Sequence, residues 1–388
     1  MLPVLFIVAF VDMVGLTMIV PLLPYYATDF GANATLVGVL ISAFSVAQLL
    51  VAPVWGKFSD RRGRRPAILA GLIVTAVAYL LFAFAGSFWA LLLSRIVQGI
   101  GGGTIGVVQA YVADATEPGQ RTQSLGWLSA VTSMGAVTGP AFGSLLTALG
   151  GRHAPGIGAA ALALLVAVYA RASLREARDF QQSGSFEVPS TLSSRDVIRR
   201  VLLHWREPAS RLIWTYTIAI GAFYGTIMIV PLLLSARLGV TEQTVGYFVM
   251  YLGGMGVIVR SLILGRMVNL LGEARLSRLG IVLLALGLAA TGWADHLATL
   301  FIGFTLMPIG TAFLFPAVTG QLSHAVPSSD RGLYMGVQHT FGGVSRVLFP
   351  IAGGAMMQTW GVGVPFIVSG ILALVTLPLT LKPPTTGA

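Results

Sequence analysis

The chain has 388 residues, of which 55% are hydrophobic and only 10% charged, with a formal net charge of +10 and a mean hydropathy of +0.83. A soluble domain carries about 25% charged residues, so this composition excludes an ordinary soluble enzyme and points to a membrane protein. With no cysteine, disulfide frameworks and thiolate metal sites are excluded as well.

A membrane-crossing helix needs about 20 apolar residues. Twelve stretches qualify in chain order: 2–26, 35–58, 67–85, 89–114, 124–148, 156–172, 212–235, 245–265, 277–294, 298–324, 332–358 and 363–381. The first is not read as a cleaved leader, because it is long, holds Asp12 and lacks a basic start. The predicted fold class is therefore all-α, with twelve transmembrane helices.

The basic residues set the orientation. With the N-terminus in the cytoplasm, only Arg152 and Arg237 fall in outer loops, and Arg95, Arg260 and Arg346 fall inside spans. All other Lys and Arg lie in inner loops or the tail, which predicts both termini inside. That distribution also argues against nucleic acid as the partner of the positive charge.

The longest polar stretch, 173–211, reads as a cytoplasmic linker with a surface helix around 195–206. It separates a six-helix bundle over 1–172 from another over 212–388. Val20-Pro21-Leu22-Leu23 recurs as Val230-Pro231-Leu232-Leu233. Gly56, Asp60 and Gly63 recur as Gly265, Asn269 and Gly272, Arg121 as Arg331, and Pro140 as Pro350. These matches keep an offset of 208–210 residues throughout. Such a duplication is the layout of carriers that rock two bundles about a midplane site.

Asp12 stands about halfway along the first span and is the one acid at membrane depth. A carboxyl group there is costly unless paired, hydrated or protonated, which makes Asp12 a candidate proton carrier. Its candidate partner is Arg95. At 1.5 Å per residue, Asp12 is about 15 Å from the inner end of its span and Arg95 about 9 Å from the outer end of its own. Across a core of about 30 Å they differ by about 6 Å in depth.

Gly56-Lys-Phe-Ser-Asp60-Arg61-Arg62-Gly63-Arg64-Arg65 forms a tight basic loop after span two. Gly135, Gly139 and Gly143 share one helix face at i, i+4 and i+8, which permits close helix packing, and Pro140 bends that helix. Gln48, Gln98, Tyr216, Tyr224, Tyr247, Tyr251, Gln338 and His339 are polar or amphipathic groups on spans, either lining a cavity or joining helices. Arg346 lies about 21 Å from the inner end of span eleven. It either bonds carbonyls across a helix contact or awaits an anion.

The Gly56–Arg65 loop, Arg95-Ile-Val-Gln98-Gly99 and Gly135-Ala-Val-Thr-Gly139-Pro140-Ala-Phe-Gly143 together resemble the major facilitator superfamily, within its drug/proton antiporter branch. From Asp12-Met-Val-Gly15 and Pro21-Leu-Leu-Pro24 through Trp127, the first half is similar to the tetracycline/proton antiporters. The resemblance implies two pseudo-symmetric six-helix bundles and alternating access. It implies proton coupling through Asp12 and Arg95, and a conformational latch of Gly56, Asp60, Arg61, Gly63, Arg64 and Arg65. Gly135, Gly139, Pro140 and Gly143 would mark an exporter.

The implied protein is a monomer in a bacterial inner membrane that moves a lipophilic small molecule out among the membrane lipids. A proton gradient drives it, and it has no cofactor and no metal. Three positions depart from the pattern. Ser144 replaces a common glycine, Ala78 stands where the tetracycline carriers have a further acid, and about Gly256 they have a histidine. These argue against tetracycline itself as substrate. Motifs of metalloproteases, serine hydrolases and phosphate loops are missing, which argues against an intramembrane enzyme or an ATP-driven pump. A proton-coupled importer of the same fold is the alternative. Because Arg95, Arg346 and Arg260 outnumber Asp12, the expected substrate is neutral, zwitterionic or weakly anionic.

Overall fold

The structure, a computed structural model, describes residues 2–102, 104–117, 120–174 and 192–380. Residues 175–191 of the predicted linker, and the tail with Lys382, lie outside the described residues. The described residues fall into two compact units. One lies within Met1–Gly184 together with Val240–Tyr251, the other within Ser185–Gly239 together with Leu252–Ala388.

In the first unit, α1 (Leu2–Ile19) continues through a 3₁₀ turn at Pro21 into α2 (Leu23–Asp29). Then α3 (Ala34–Arg62) starts on the Asn33 side chain, which accepts from the Leu36 N–H at 2.9 Å. It stops at Gly63, whose φ of 105° is a backbone state that glycine adopts without strain. Beyond it lie α4 (Arg64–Ala83), α5 (Phe88–Gly102), α6 (Ile105–Asp114), α7 (Arg121–Gly150) and α8 (Ala154–Ser173). The predicted fourth span is described as two helices, α5 and α6, with residue 103 between them outside the described residues. There the Thr104 hydroxyl donates to the Gly101 carbonyl at 3.0 Å.

In the second unit, α9 (Ser194–Leu203) is the linker's surface helix. Its capping box joins Ser193 and Asp196. Next come α10 (Pro208–Leu238), α11 (Val245–Ile258), which begins in the first unit, α12 (Leu264–Gly292), α13 (Leu297–Ala325), α14 (Arg331–Trp360) and α15 (Val364–Val375). A wide π-helical turn, Val259–Ile263, links α11 to α12. Gly272 (φ 71°) breaks α12 at the position equivalent to Gly63. With these breaks and joins the helices make twelve crossing segments, as the sequence predicts.

Many large apolar side chains point outward. Leu50, Leu165, Val168 and Leu270 are all at least 66% exposed, a surface that only a lipid environment tolerates. Inside each unit the contacts rest on small residues. A Cβ on Gly99 would come 2.4 Å from the Phe44 carbonyl, and one on Gly310 would come 2.5 Å from the Leu284 nitrogen. Apolar exterior, helical backbone and small-residue contacts make this an integral, multi-pass membrane protein.

Candidate functional site

Asp12 owes its position to a seam of glycines. A Cβ on Gly135 would lie 2.6 Å from the Phe10 carbonyl, one on Gly139 would lie 2.7 Å from the Val14 carbonyl, and one on Gly143 would lie 2.2 Å from the Met18 carbonyl. Backbone on α1 therefore lies directly against α7 on both sides of Asp12. The Thr17 hydroxyl crosses the same seam, donating to Met13 O at 2.8 Å and approaching Gly135 O at 3.3 Å. Asp12 faces a cavity of about 720 Å³ inside the first unit, lined by Met13, Leu72, Thr104, Gln109, Ser129 and Thr132 among others. Among the described residues Asp12 makes no ion pair or hydrogen bond.

The expected Asp12–Arg95 pair is not formed. Arg95 is buried on α5 and donates to the Gln98 side chain one turn along. Its guanidinium centre lies 4.7 Å from the centroid of the Phe44 ring, a cation–π contact. Both charges act on Tyr79, a residue that sequence reading passed over. It is fully buried, packs against Gly15, and interacts electrostatically with both Asp12 and Arg95. The only sequence signal for it was its place beside Ala78. Gln48 holds helices together: its Nε2 donates to the Gly102 carbonyl at 3.0 Å, at the α5–α6 break.

At the basic end of the first unit, Arg64 is a three-way fork. It donates to Asp60 at 2.7 Å and to Ser59 at 2.9 Å, and its Nε donates to Asp114 at 3.0 Å. The start of α4 is thereby tied to the end of α3 and the end of α6. Arg65 donates to the Arg171 carbonyl on α8. Gly56 has open space beside it, and Arg61 is exposed. Asp114 was invisible as a partner, because fifty residues separate it from Arg64.

At the opposite end of the unit, Ser144 makes a clasp. Its hydroxyl donates to the Glu242 carbonyl and accepts from the Gly246 N–H, both at 2.8 Å. The Tyr25 hydroxyl donates to Val240 O at 2.9 Å. Arg152 pairs with Asp29 at 3.0 Å and stacks on Tyr26. Partial burial raises the Glu242 pKa above its ordinary 4.5, with Asp29 adding to the rise and Arg152 opposing it. A carboxylate with a raised folded value adds stability below its ordinary pKa and loses it as pH rises through the raised one. Glu242→Gln, which mimics the protonated acid, should therefore melt higher than the native protein at pH 8 and equally at pH 4. An equal difference at both pH values would refute this.

In the second unit, Tyr216 and Tyr224 on α10 meet His339 and Arg346 on α14. The Tyr216 ring lies 5.4 Å from Phe315 and 6.2 Å from His339, and the Arg346 guanidinium lies 4.8 Å from the Tyr224 ring centroid. Gln338 is fully buried and accepts from the Thr319 hydroxyl at 3.4 Å. Tyr247 and Tyr251 belong to the first unit. Its aromatic member Phe315 and its polar neighbour Thr319 had no sequence signal beyond lying on a span.

Known proteins bear directly on this arrangement. The sequence profile of the family described as the Major Facilitator Superfamily matches residues 5–272 and 212–387. The chain is 27% identical over 385 residues to Multidrug resistance protein 2 of Bacillus subtilis (strain 168), covering 96% of this chain and 92% of that protein. It is 27% identical over 391 residues to the class B tetracycline resistance protein of Escherichia coli, covering 96% and 95%. Among solved structures it resembles the human organic anion transporter MFSD10 (TETRAN), with a TM-score of 0.68, 23% identity and 98% of both chains covered. A bacterial homolog of the human lysosomal transporter Spinster superposes with a TM-score of 0.80 at 16% identity, over 98% of this chain and 95% of that one.

Proposed function

The chain belongs to the Major Facilitator Superfamily, and from that premise we propose that it exports a lipophilic small molecule in exchange for protons, by alternating access. One observation carries the reading: among the described residues Asp12 is the sole acid at membrane depth, and it faces a cavity of about 720 Å³ without a hydrogen bond or ion pair. A carboxyl group so placed can take a proton from one side and release it to the other. The apolar lining supplies substrate affinity. Tyr79 relays charge state between Asp12 and Arg95, so protonation and the setting of the α4–α5 pair are linked. The resistance proteins among the relatives favour export over import.

The charge distribution of the sequence supports a cytoplasmic basic end for the first unit and cytoplasmic termini. The membrane is a bacterial inner membrane, and one chain is the working unit. Protons, the substrate and membrane lipid are its partners, and the proton gradient replaces any cofactor. The test is a panel of lipophilic drugs on inside-out vesicles with an imposed pH gradient. Substrate-dependent collapse of that gradient is the expected result, and a panel that leaves it untouched would refute the exchange.

The Arg64 fork is the latch of this cycle. Its bonds to Asp60 and Asp114 hold three helix ends in one arrangement, so Arg64→Ala and Asp114→Asn should favour the inward-open form and slow turnover several-fold. Native cysteines are lacking, so single cysteines placed at the two mouths report the shift directly. Labelling rates identical to those of the parent would count against the latch.

A further inference from the structure

Arg346 is the cation that the proton-coupling scheme leaves unused. It is half-buried on α14, and its Nε is fully buried with no hydrogen-bond partner. Among the described residues it makes no hydrogen bond and no ion pair at all. The option of bonding carbonyls across a helix contact is therefore not taken. The acids of the second unit are Asp196, Glu207, Glu273, Asp295 and Asp330 within the described residues, and each lies in the linker, in a loop or at a helix end or break. Among the described residues no carboxylate of this unit reaches its depth. A lone guanidinium at membrane depth is costly, and only the face of Tyr224, 4.8 Å away, supports it.

The surroundings are those of a binding site rather than of a structural tie. His339 lies two turns before Arg346 on the same face of α14 and is exposed, so the cluster is open on that side. Gly342, between them, leaves room for the Tyr216 ring, which a Cβ would meet at 3.0 Å. Tyr216 also interacts with Arg260, on the π-helical turn. One cation, an imidazole and two phenol rings thus come together with no counter-charge in contact among the described residues. Aromatic rings offer flat apolar contact, while a guanidinium offers paired donors matched to a carboxylate or sulfonate.

We propose that Arg346, with Tyr216, Tyr224 and His339, is a recognition site for the anionic group of an aromatic or lipophilic substrate, a carboxylate or sulfonate. This rests on the reading of the protein as a transporter and specifies what its second half selects. The anion takes the two terminal nitrogens of Arg346, and the substrate's apolar body lies on the tyrosines and Phe315.

Binding of three matched probes separates this from other roles: 2-naphthylacetate, its neutral amide 2-naphthylacetamide, and cationic 2-naphthylethylammonium. Equilibrium dialysis against the full-length protein in lipid nanodiscs, with empty nanodiscs subtracted, measures each. The native protein should bind the carboxylate at least about tenfold tighter than the amide, the range expected of charge-assisted hydrogen bonds. Arg346→Gln should erase that preference while leaving amide binding unchanged, and Arg346→Lys should keep part of it.

Equal binding of all three probes, preference for the ammonium, or equal weakening of every probe by Arg346→Gln would overturn the proposal. If melting shows that Arg346→Gln does not fold, Arg346→Lys decides, since an undiminished preference there would overturn it too. Vesicle transport of neutral drugs is read separately. Proton-driven export without anion preference sinks this inference alone. Anion binding that depends on Arg346, without any proton-driven transport, sinks the exchange mechanism alone.

Discussion

Asp12→Asn vesicles should show no uphill accumulation of substrate, with transport falling to the passive level. Asparagine has the size and shape of the protonated acid, so the α1–α7 seam and the cavity stay as they are. It cannot lose a proton, so the exchange cycle stops at the step where the ionised form is needed. Because Asp12 makes no ion pair among the described residues, the substitution leaves no orphaned cation behind. Folding should be unaffected, and substrate counterflow, which needs no net proton movement, should persist. Arg95→Ala should also uncouple, with some loss of stability, because it strips the buried Gln98 and Phe44 of their partner. Inside-out vesicles with an imposed pH gradient measure both. Concentration of substrate by Asp12→Asn at the native rate would show that another group carries the proton.

The largest structural effect should come from Gly139→Val. A Cβ at Gly139 would already lie 2.1 Å from the Thr17 hydroxyl and 2.7 Å from the Val14 carbonyl, and valine adds two methyls beyond it. The obstacle is partly helix backbone, which cannot rotate aside as a side chain can. Overpacking of a relaxable core costs about 1–3 kcal/mol, and a seam of backbone against backbone should reach or exceed the top of that range. Gly139→Ala should cost less but still move α1, and with it Asp12. Gly126→Ala, on the same helix but with open space beside it, is the control and should melt as the native protein does. Thermal melting and gel filtration of the purified proteins check the set. Equal melting of Gly139→Val and Gly126→Ala would show that the seam yields and does not position Asp12.

Sequence alone determined a good deal of this. Membrane helices announce themselves, because a lipid environment demands long apolar runs whatever they pack against. The twelve segments and the linker helix were therefore legible, whereas the loop expected over Gly56–Arg65 is helix up to Arg62 and breaks only at Gly63. The glycine seam was legible too, since i, i+4, i+8 spacing puts three glycines on one face in any α-helix. Asp12, Arg64 and Arg346 stood out because a charge near or within a membrane helix needs an explanation.

What only the tertiary structure decided is which groups those charges meet. Depth along a helix says nothing of rotation about its axis or of the neighbour it faces, so Asp12 and Arg95 looked like partners at similar depth. In the fold Arg95 turns to Gln98 and Phe44, and Tyr79 interacts with both charges. Arg64 reaches Asp114 because α6 ends beside α4, a closeness set by chain topology and not by any local pattern. Ser144, a bare departure from a glycine motif in the sequence, closes on Glu242 and Gly246, a hundred residues away. Side-chain pairing at such separations depends on packing, and packing is a property of the folded chain, in which helices are free to turn different faces to one another until small residues and shape fix them.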